Sequence, residues 1–201
     1  DSEFKIPENS RLKQSLKHFL QDAGKQCAAL LISDYNYMTV KKDVFDDIVA
    51  DFRKAKRPLT LDSRFRLLEF PGITVATPNE PEVESALKKE IGENLALLKR
   101  AGNTLRQKIQ SPALLVTRGS RGMALFEKGK PPFLIPVHGT TDIVDVTGAG
   151  DTVISTFTLA LASGAGFREA AQLANYAGGI VVMKKGTATL TAEELKQAIV
   201  S

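Results

Sequence analysis

The seven residues Asp145-Val146-Thr147-Gly148-Ala149-Gly150-Asp151 carry the strongest chemistry in this 201-residue chain. Gly148, Ala149 and Gly150 are small enough to let the backbone turn sharply and another group approach it closely. An almost wholly apolar segment follows, Thr152 to Ala162, and is expected to be a helix. The first turn of such a helix presents unpaired N–H groups and the positive end of a dipole, which hold anions and phosphate above all. Asp151 at that mouth would repel a phosphate. It makes sense facing a different reactant, a hydroxyl whose proton leaves as its oxygen attacks the phosphate. Loop, helix end and carboxylate together point to phosphoryl transfer from a nucleotide to an alcohol. Asp151 would be the base, and the backbone N–H groups of Gly148, Ala149 and Gly150 the anion hole. The alternative is a glycine turn with Asp151 capping the helix.

These residues need a scaffold, and the periodicity supplies one. Helices are expected over Asn9–Ala23, capped by Ser10 and ended by Gly24, with Leu12, Leu16, Phe19 and Leu20 at helical spacing. Further helices are expected over Lys41–Lys56, from Pro81 toward Lys89, over Glu93–Ile109 with Leu95, Leu98, Leu105 and Ile109 inward, and over Phe167–Met183. Thr191–Val200 closes the chain with a capping box of Thr191 and Glu194. Short apolar runs at Ala28–Ser33, Pro58–Leu61, Ile73–Ala76 and Ala113–Thr117 read as buried strands. Met123–Phe126 and Phe133–Val137, separated by Gly129-Lys130-Pro131, read as a hairpin. Strands alternating with helices imply a doubly wound, mainly parallel α/β layer. Asp34 and Asp62 then fall at the C-terminal edge of that sheet, where open α/β sheets bind ligands.

Composition narrows the function. Apolar content of 43% and charged content of 25% are ordinary for a globular protein, and residues 1–201 read as one domain. A net charge of +4 is diffuse and argues against nucleic acid. No apolar run approaches a membrane span, and no secretory signal is visible at Asp1. The single cysteine, Cys27, excludes an internal disulfide framework and fits a reducing, cytoplasmic setting. His18 and His138 stand far apart without a cysteine partner, which disfavours a zinc site or a histidine triad.

The Asp145–Asp151 loop resembles the C-terminal signature of the PfkB/ribokinase family of carbohydrate kinases, with Val146 where threonine is usual. Ser33-Asp34-Tyr35, Thr77-Pro78-Asn79 with Glu82, Leu115-Val116-Thr117-Arg118 with Gly122-Met123, and Gly186-Thr187-Ala188-Thr189 fall in the order of its heptose-7-phosphate kinase branch. The resemblance covers roughly residues 25–200. It implies a ribokinase-like fold whose N-terminal part, with a sugar motif and a β lid, is missing from this chain. It implies ATP and Mg²⁺ as cofactors, a sugar or sugar phosphate as acceptor, and heptose 7-phosphate at its anomeric hydroxyl within ADP-heptose synthesis as the nearest substrate. Alternatives are a fructokinase, ribokinase or nucleoside kinase, or a nucleotide-binding domain without catalysis. Members commonly dimerise through the lid, so a homodimer stays open.

By the same resemblance, Thr117, Gly119, Gly122, Asn175 and Asn79 lie along the nucleotide. Asn79 and Glu82 organise Mg²⁺ and phosphate, and Asp145 belongs to a monovalent-cation (K⁺) site. Asp34, Asp62 and Arg64 meet the acceptor. The bland alternatives are an acidic first helical turn at Asn79–Glu82 and a satisfied core amide at Asn175. The chain departs from the branch where Asn36-Tyr37-Met38 replaces a Gly/Ala-Lys-Gly stretch and Asp62-Ser63-Arg64 replaces Asp-Pro-Lys. Arg64 would stand in for a lysine near the acceptor's phosphate, a contact at which the two cations are not equivalent.

Overall fold

The computed structural model describes residues 11–37, 40–139 and 144–200. Six strands form one sheet in sequential order: β1 (Leu30–Asp34), β2 (Leu59–Ser63), β3 (Val75–Ala76), β4 (Ala113–Thr117), β5 (Met123–Glu127) and β6 (Phe133–Ile135). β1 to β4 run parallel, β5 pairs antiparallel with β4, and β6 pairs antiparallel with β5 at the sheet edge. The helices are α1 (Arg11–Gln26), α2 (Lys42–Lys54), α3 (Glu80–Leu87), α4 (Leu95–Lys108), α5 (Ala149–Ala162), α6 (Phe167–Val182) and α7 (Ala192–Val200).

Helices cover both faces, as the alternation of elements requires. Leu114 and Val116 of β4 join a core with Phe45 and Ile48 of α2 and Leu98 and Leu105 of α4. Their neighbours Ala113 and Leu115 point the other way, to Val153 and Phe157 of α5 and Ala170 and Ala174 of α6. That is the two-residue period of a strand buried on both sides. The small residues of α6 let it sit tightly against its surroundings. A Cβ on Gly179 would lie 2.4 Å from the His138 carbonyl oxygen.

Several boundaries differ from the sequence reading. The expected start of α1 at Asn9 and Ser10 lies outside the described residues, and Gly24 sits inside the helix instead of ending it. The reason is packing: a Cβ at Gly24 would come within 3.3 Å of the Phe52 ring, so this glycine serves contact with α2. Leu12 and Phe19 of α1 are exposed while Leu20 packs on the core. Leu95 is exposed as well, because α4 begins there under an Asn94 cap that accepts from the Ala96 and Leu97 N–H groups. The Thr191–Glu194 capping box forms as expected. Among the described residues no helix is long and apolar enough to cross a membrane.

Candidate active site

Strand register decides which carboxylates reach the cleft. β1 and β2 pair with Ser33 opposite Asp62 and Asp34 opposite Ser63. Side chains alternate between the two faces, so this one-residue offset sends Asp34 and Asp62 opposite ways. Asp62 shares the α5 face with Thr60, whose hydroxyl meets that of Thr158. Asp34 turns to the α2 face and is buried. It accepts from the Ser63 hydroxyl at 2.8 Å and the Asn36 N–H at 3.1 Å, and pairs with Arg66 at 3.4 Å. The expectation that Asp34 meets the acceptor is therefore corrected: its carboxylate is consumed in holding the ends of β1 and β2 together.

The mouth of α5 is built as the glycines require. Gly148 sits in the left-handed region at φ 79° and starts the helix without a side-chain cap; the Ala149 N–H donates to the Val146 carbonyl at 3.2 Å, while the N–H groups of Gly150 and Asp151 have no carbonyl a turn behind them in the helix. The helix begins at Ala149, three residues earlier than expected, which puts Asp151 within its first turn. Asp151 is exposed, and both of its oxygens accept from the Tyr35 hydroxyl, at 3.0 and 3.2 Å. Tyr35 was quoted in the sequence only as part of a motif; nothing in the spacing joins two residues so far apart.

Asp62 closes the same corner, with one oxygen 3.9 Å from where a Cβ on Gly150 would stand. Burial pushes its carboxyl up to about 7, helped by the negative charges of Glu82 and Asp151 and opposed by Arg64. Glu82 is raised too, by burial first, and hydrogen bonds from Asn79 pull it back. Glu82 and Asp151 are thus near enough for their charges to act on Asp62, with the exposed Arg64 alongside, on one side of Gly150.

On the other side of Gly150 lies a cavity of about 310 Å³. It brings together Asn79, Thr117, Gly119, Gly122, Asn175, Ala149 and Gly150, all candidates from sequence. Thr117 and Asn79 are joined by a parallel bridge, and the Thr117 N–H donates to the Pro78 carbonyl at 2.9 Å. Gly122 (φ 76°) leaves no room for a side chain, since a Cβ there would lie 2.0 Å from the Ile135 carbonyl oxygen. Asn175 is buried and donates to the Pro136 carbonyl at 2.9 Å, so the bland reading of a satisfied amide holds while the residue also lines the cavity. Val137, Val146, Gly178, Gly179 and Val182 also line it and were not foreseen as site residues. The Gly178-Gly179 pair in an apolar helix was their one visible signal.

Asn79 and Glu82 form a reciprocal capping box at the start of α3: the Asn79 side chain accepts from the Glu82 N–H at 2.8 Å, and one Glu82 oxygen accepts from the Asn79 N–H at 2.9 Å. The other Glu82 oxygen remains for a cation. No group of three His, Cys, Asp or Glu among the described residues makes a closed metal site. This donor set suits a hard ion that keeps several waters. Asp145 accepts from the N–H groups of Thr147 at 2.9 Å and Gly186 at 3.1 Å, and these bonds, Thr147 first, hold its carboxyl below the usual range. Asp145 thereby ties the Asp145–Asp151 loop to the Gly186–Thr189 segment. Lone pairs on those oxygens are left over for a monovalent ion.

Residues 10–194 match the profile of the pfkB family carbohydrate kinase. The chain is 36% identical over 197 residues to the bifunctional protein HldE of Desulfatibacillum aliphaticivorans, covering 98% of this chain and 40% of that one. It is 41% identical over 181 residues to HldE of Haemophilus influenzae, covering 90% and 37%. The chain thus spans about two fifths of the length of these relatives. Among solved structures, Arabidopsis thaliana ribokinase complexed with ribose and ATP superposes with a TM-score of 0.75 at 22% identity, over 98% of this chain and 60% of that one. Phosphofructokinase-2 from Escherichia coli in complex with potassium gives 0.79 at 18%, over 94% and 61%. The fold is ribokinase-like, and the chain belongs to the pfkB family of carbohydrate kinases.

Proposed function

We propose that this chain carries the phosphoryl-transfer site of an ATP-dependent kinase acting on a hydroxyl of a sugar or sugar phosphate. One observation carries the reading: Asp151 stands exposed in the uncapped first turn of α5, next to the glycine that walls off the cavity. The nucleotide's base and sugar occupy the cavity, and its terminal phosphate lies over the N–H groups of Gly148, Ala149 and Gly150. Asp151 takes the proton of the attacking hydroxyl. The oxygen of that hydroxyl bonds to the terminal phosphorus, and the bond to the nucleoside diphosphate breaks. Glu82 and Asn79 would hold a divalent cation, which when bound would supply charge neutralisation to the transferring phosphoryl group. Asp145 with the Gly186–Thr189 segment is the place for K⁺.

Asp62 and Arg64 face the acceptor. Heptose 7-phosphate, phosphorylated at its anomeric hydroxyl, is the leading acceptor because the sequence motifs resemble the heptose-7-phosphate kinase branch and the relatives reported above, at 36% and 41% identity, are named HldE. Arg64, exposed beside Asp62 and Glu82, is the cation placed for the acceptor's own phosphate. The Asn36-Tyr37 and Ser63-Arg64 departures favour a second reading, in which the acceptor is a different sugar. The test is turnover of ATP and Mg²⁺ with a panel of sugars and sugar phosphates. Asp151→Asn should lose at least about 100-fold in transfer, the low end of what a positioned base contributes, while ATP affinity holds. Retained transfer in that variant sinks the base assignment.

A further inference from the structure

Tyr35 leaves the sheet at the end of β1, yet its phenol meets the first turn of α5 across 116 residues of sequence. The ring is 50% exposed, so burial does not force it there. Its hydroxyl donates to both Asp151 oxygens, the contact an acceptor hydroxyl must make with the same carboxylate. A carboxylate in a helix's first turn has a competing choice: it can bend back and accept from the free N–H groups of that turn. Here those N–H groups are the ones a phosphoryl group needs.

We propose that Tyr35 is the positioning residue of the Asp151 base: in the open cleft its hydroxyl holds the carboxylate away from the anion hole and occupies the place of the acceptor hydroxyl, to which it yields. This rests on the base reading of Asp151. The phenol's own proton does not move during the reaction. Hydrogen bonding to Asp151, then burial and the nearby carboxylate charges, pushes the Tyr35 phenol up, so it stays a donor through the neutral range. Without Tyr35, the place of the acceptor hydroxyl on Asp151 is open to a water molecule. Its oxygen then bonds to the terminal phosphorus, the bond to the nucleoside diphosphate breaks, and its proton passes to Asp151. ATP is hydrolysed with no sugar phosphorylated.

Two measurements test this. The first needs no turnover. Tyrosine labelled at the phenolic carbon, with Tyr35→Phe to assign the signal, gives the Tyr35 titration by NMR in the wild-type chain and in Asp151→Asn. The titration should move down in the variant; an identical titration overturns the proposal. The second uses ATP and Mg²⁺ with and without an acceptor. Tyr35→Phe removes one oxygen from a half-exposed ring and should raise the ratio of ATP hydrolysis to sugar transfer about 10-fold, less than the roughly 10²–10⁴-fold that a correctly positioned base contributes. The KM for ATP should stay unchanged, and acceptor-free ATP hydrolysis should rise in Tyr35→Phe over wild type but not in Tyr35→Phe with Asp151→Asn over Asp151→Asn. An unchanged ratio in Tyr35→Phe, or a rise that survives in the double variant, overturns the role of Tyr35 alone. Transfer retained by Asp151→Asn overturns the base reading and this proposal together.

Discussion

The hydroxyl oxygens of Thr60 and Thr158 lie 2.7 Å apart in the core, joining β2 to α5. Thr158 donates its one proton to the Ile154 carbonyl at 2.6 Å, so Thr60 must be the donor between the two threonines. This bond sets the register between the strand that carries Asp62 and the helix that carries Asp151. Thr158→Val leaves the buried Thr60 hydroxyl without its acceptor and should cost about 1–3 kcal/mol. Thr60→Val combined with Thr158→Val should recover much of that loss. A urea-unfolding double-mutant cycle measures it, and purely additive losses would show that the pair is not coupled.

Asp62 gives the fold a pH dependence of unusual sign for a carboxylate. Folding raises its carboxyl to about 7, whereas an unfolded aspartate titrates near ~3.9. Between those values the folded chain holds a proton that the unfolded chain has released. Its contribution to stability is therefore present below the unfolded value, declines as pH rises through the window, and stays lost above it. Asp62→Asn removes the ionisation. Its stability relative to wild type should increase from about pH 4 to about pH 8, by on the order of 1–3 kcal/mol once partial solvent access is discounted. Urea midpoints at both ends of the window decide the matter; a parallel pH profile for the two proteins contradicts the assigned shift.

Much of this site is legible in the sequence because its parts are local. A glycine-rich turn before an apolar run, and Asn79 three residues ahead of Glu82, each carry their geometry within a few neighbours. Asp34 shows where that legibility ends. It and Asp62 both terminate parallel strands, and only the pairing of Ser33 with Asp62 reveals that they face opposite ways. Register is a relation between distant segments, so strand-end position alone assigned both to the acceptor. The Tyr35–Asp151 contact and the role of Gly24 were hidden for the same reason: each depends on what another element brings alongside.

Gly179 should tolerate no side chain. A Cβ would stand 2.4 Å from the His138 carbonyl oxygen, a backbone atom that can move only with its segment. Gly178 faces a softer neighbour, a Val153 methyl at 3.0 Å. Both glycines line the cavity. Gly179→Ala should destabilise the chain by about 1–3 kcal/mol, the usual cost of overpacking, and weaken ATP binding as the Val137–His138 wall shifts. Gly178→Ala should cost less. Thermal unfolding and calorimetric titration with ATP rank the two; equal effects would contradict the difference between backbone and methyl neighbours.

Glu82 has two duties that one substitution can separate. Its carboxylate accepts from the Asn79 N–H, closing the capping box, and its charge would hold the waters of a divalent cation. Glutamine at the third helical position supports the same box. Glu82→Gln should therefore leave stability nearly unchanged, or raise it slightly, because a half-buried carboxylate already pushed up by burial is replaced by a neutral amide. Asn79→Ala removes the cap itself and should cost about 1 kcal/mol. If the acidic turn is only a cap, Mg²⁺-dependent ATP binding will follow stability, falling in Asn79→Ala and persisting in Glu82→Gln. If Glu82 organises the cation, Glu82→Gln will lose Mg²⁺-dependent binding at full stability. The second outcome is expected, because the Glu82 charge acts on the buried Asp62 carboxyl, and a capping role alone gives no reason to keep a further negative charge there.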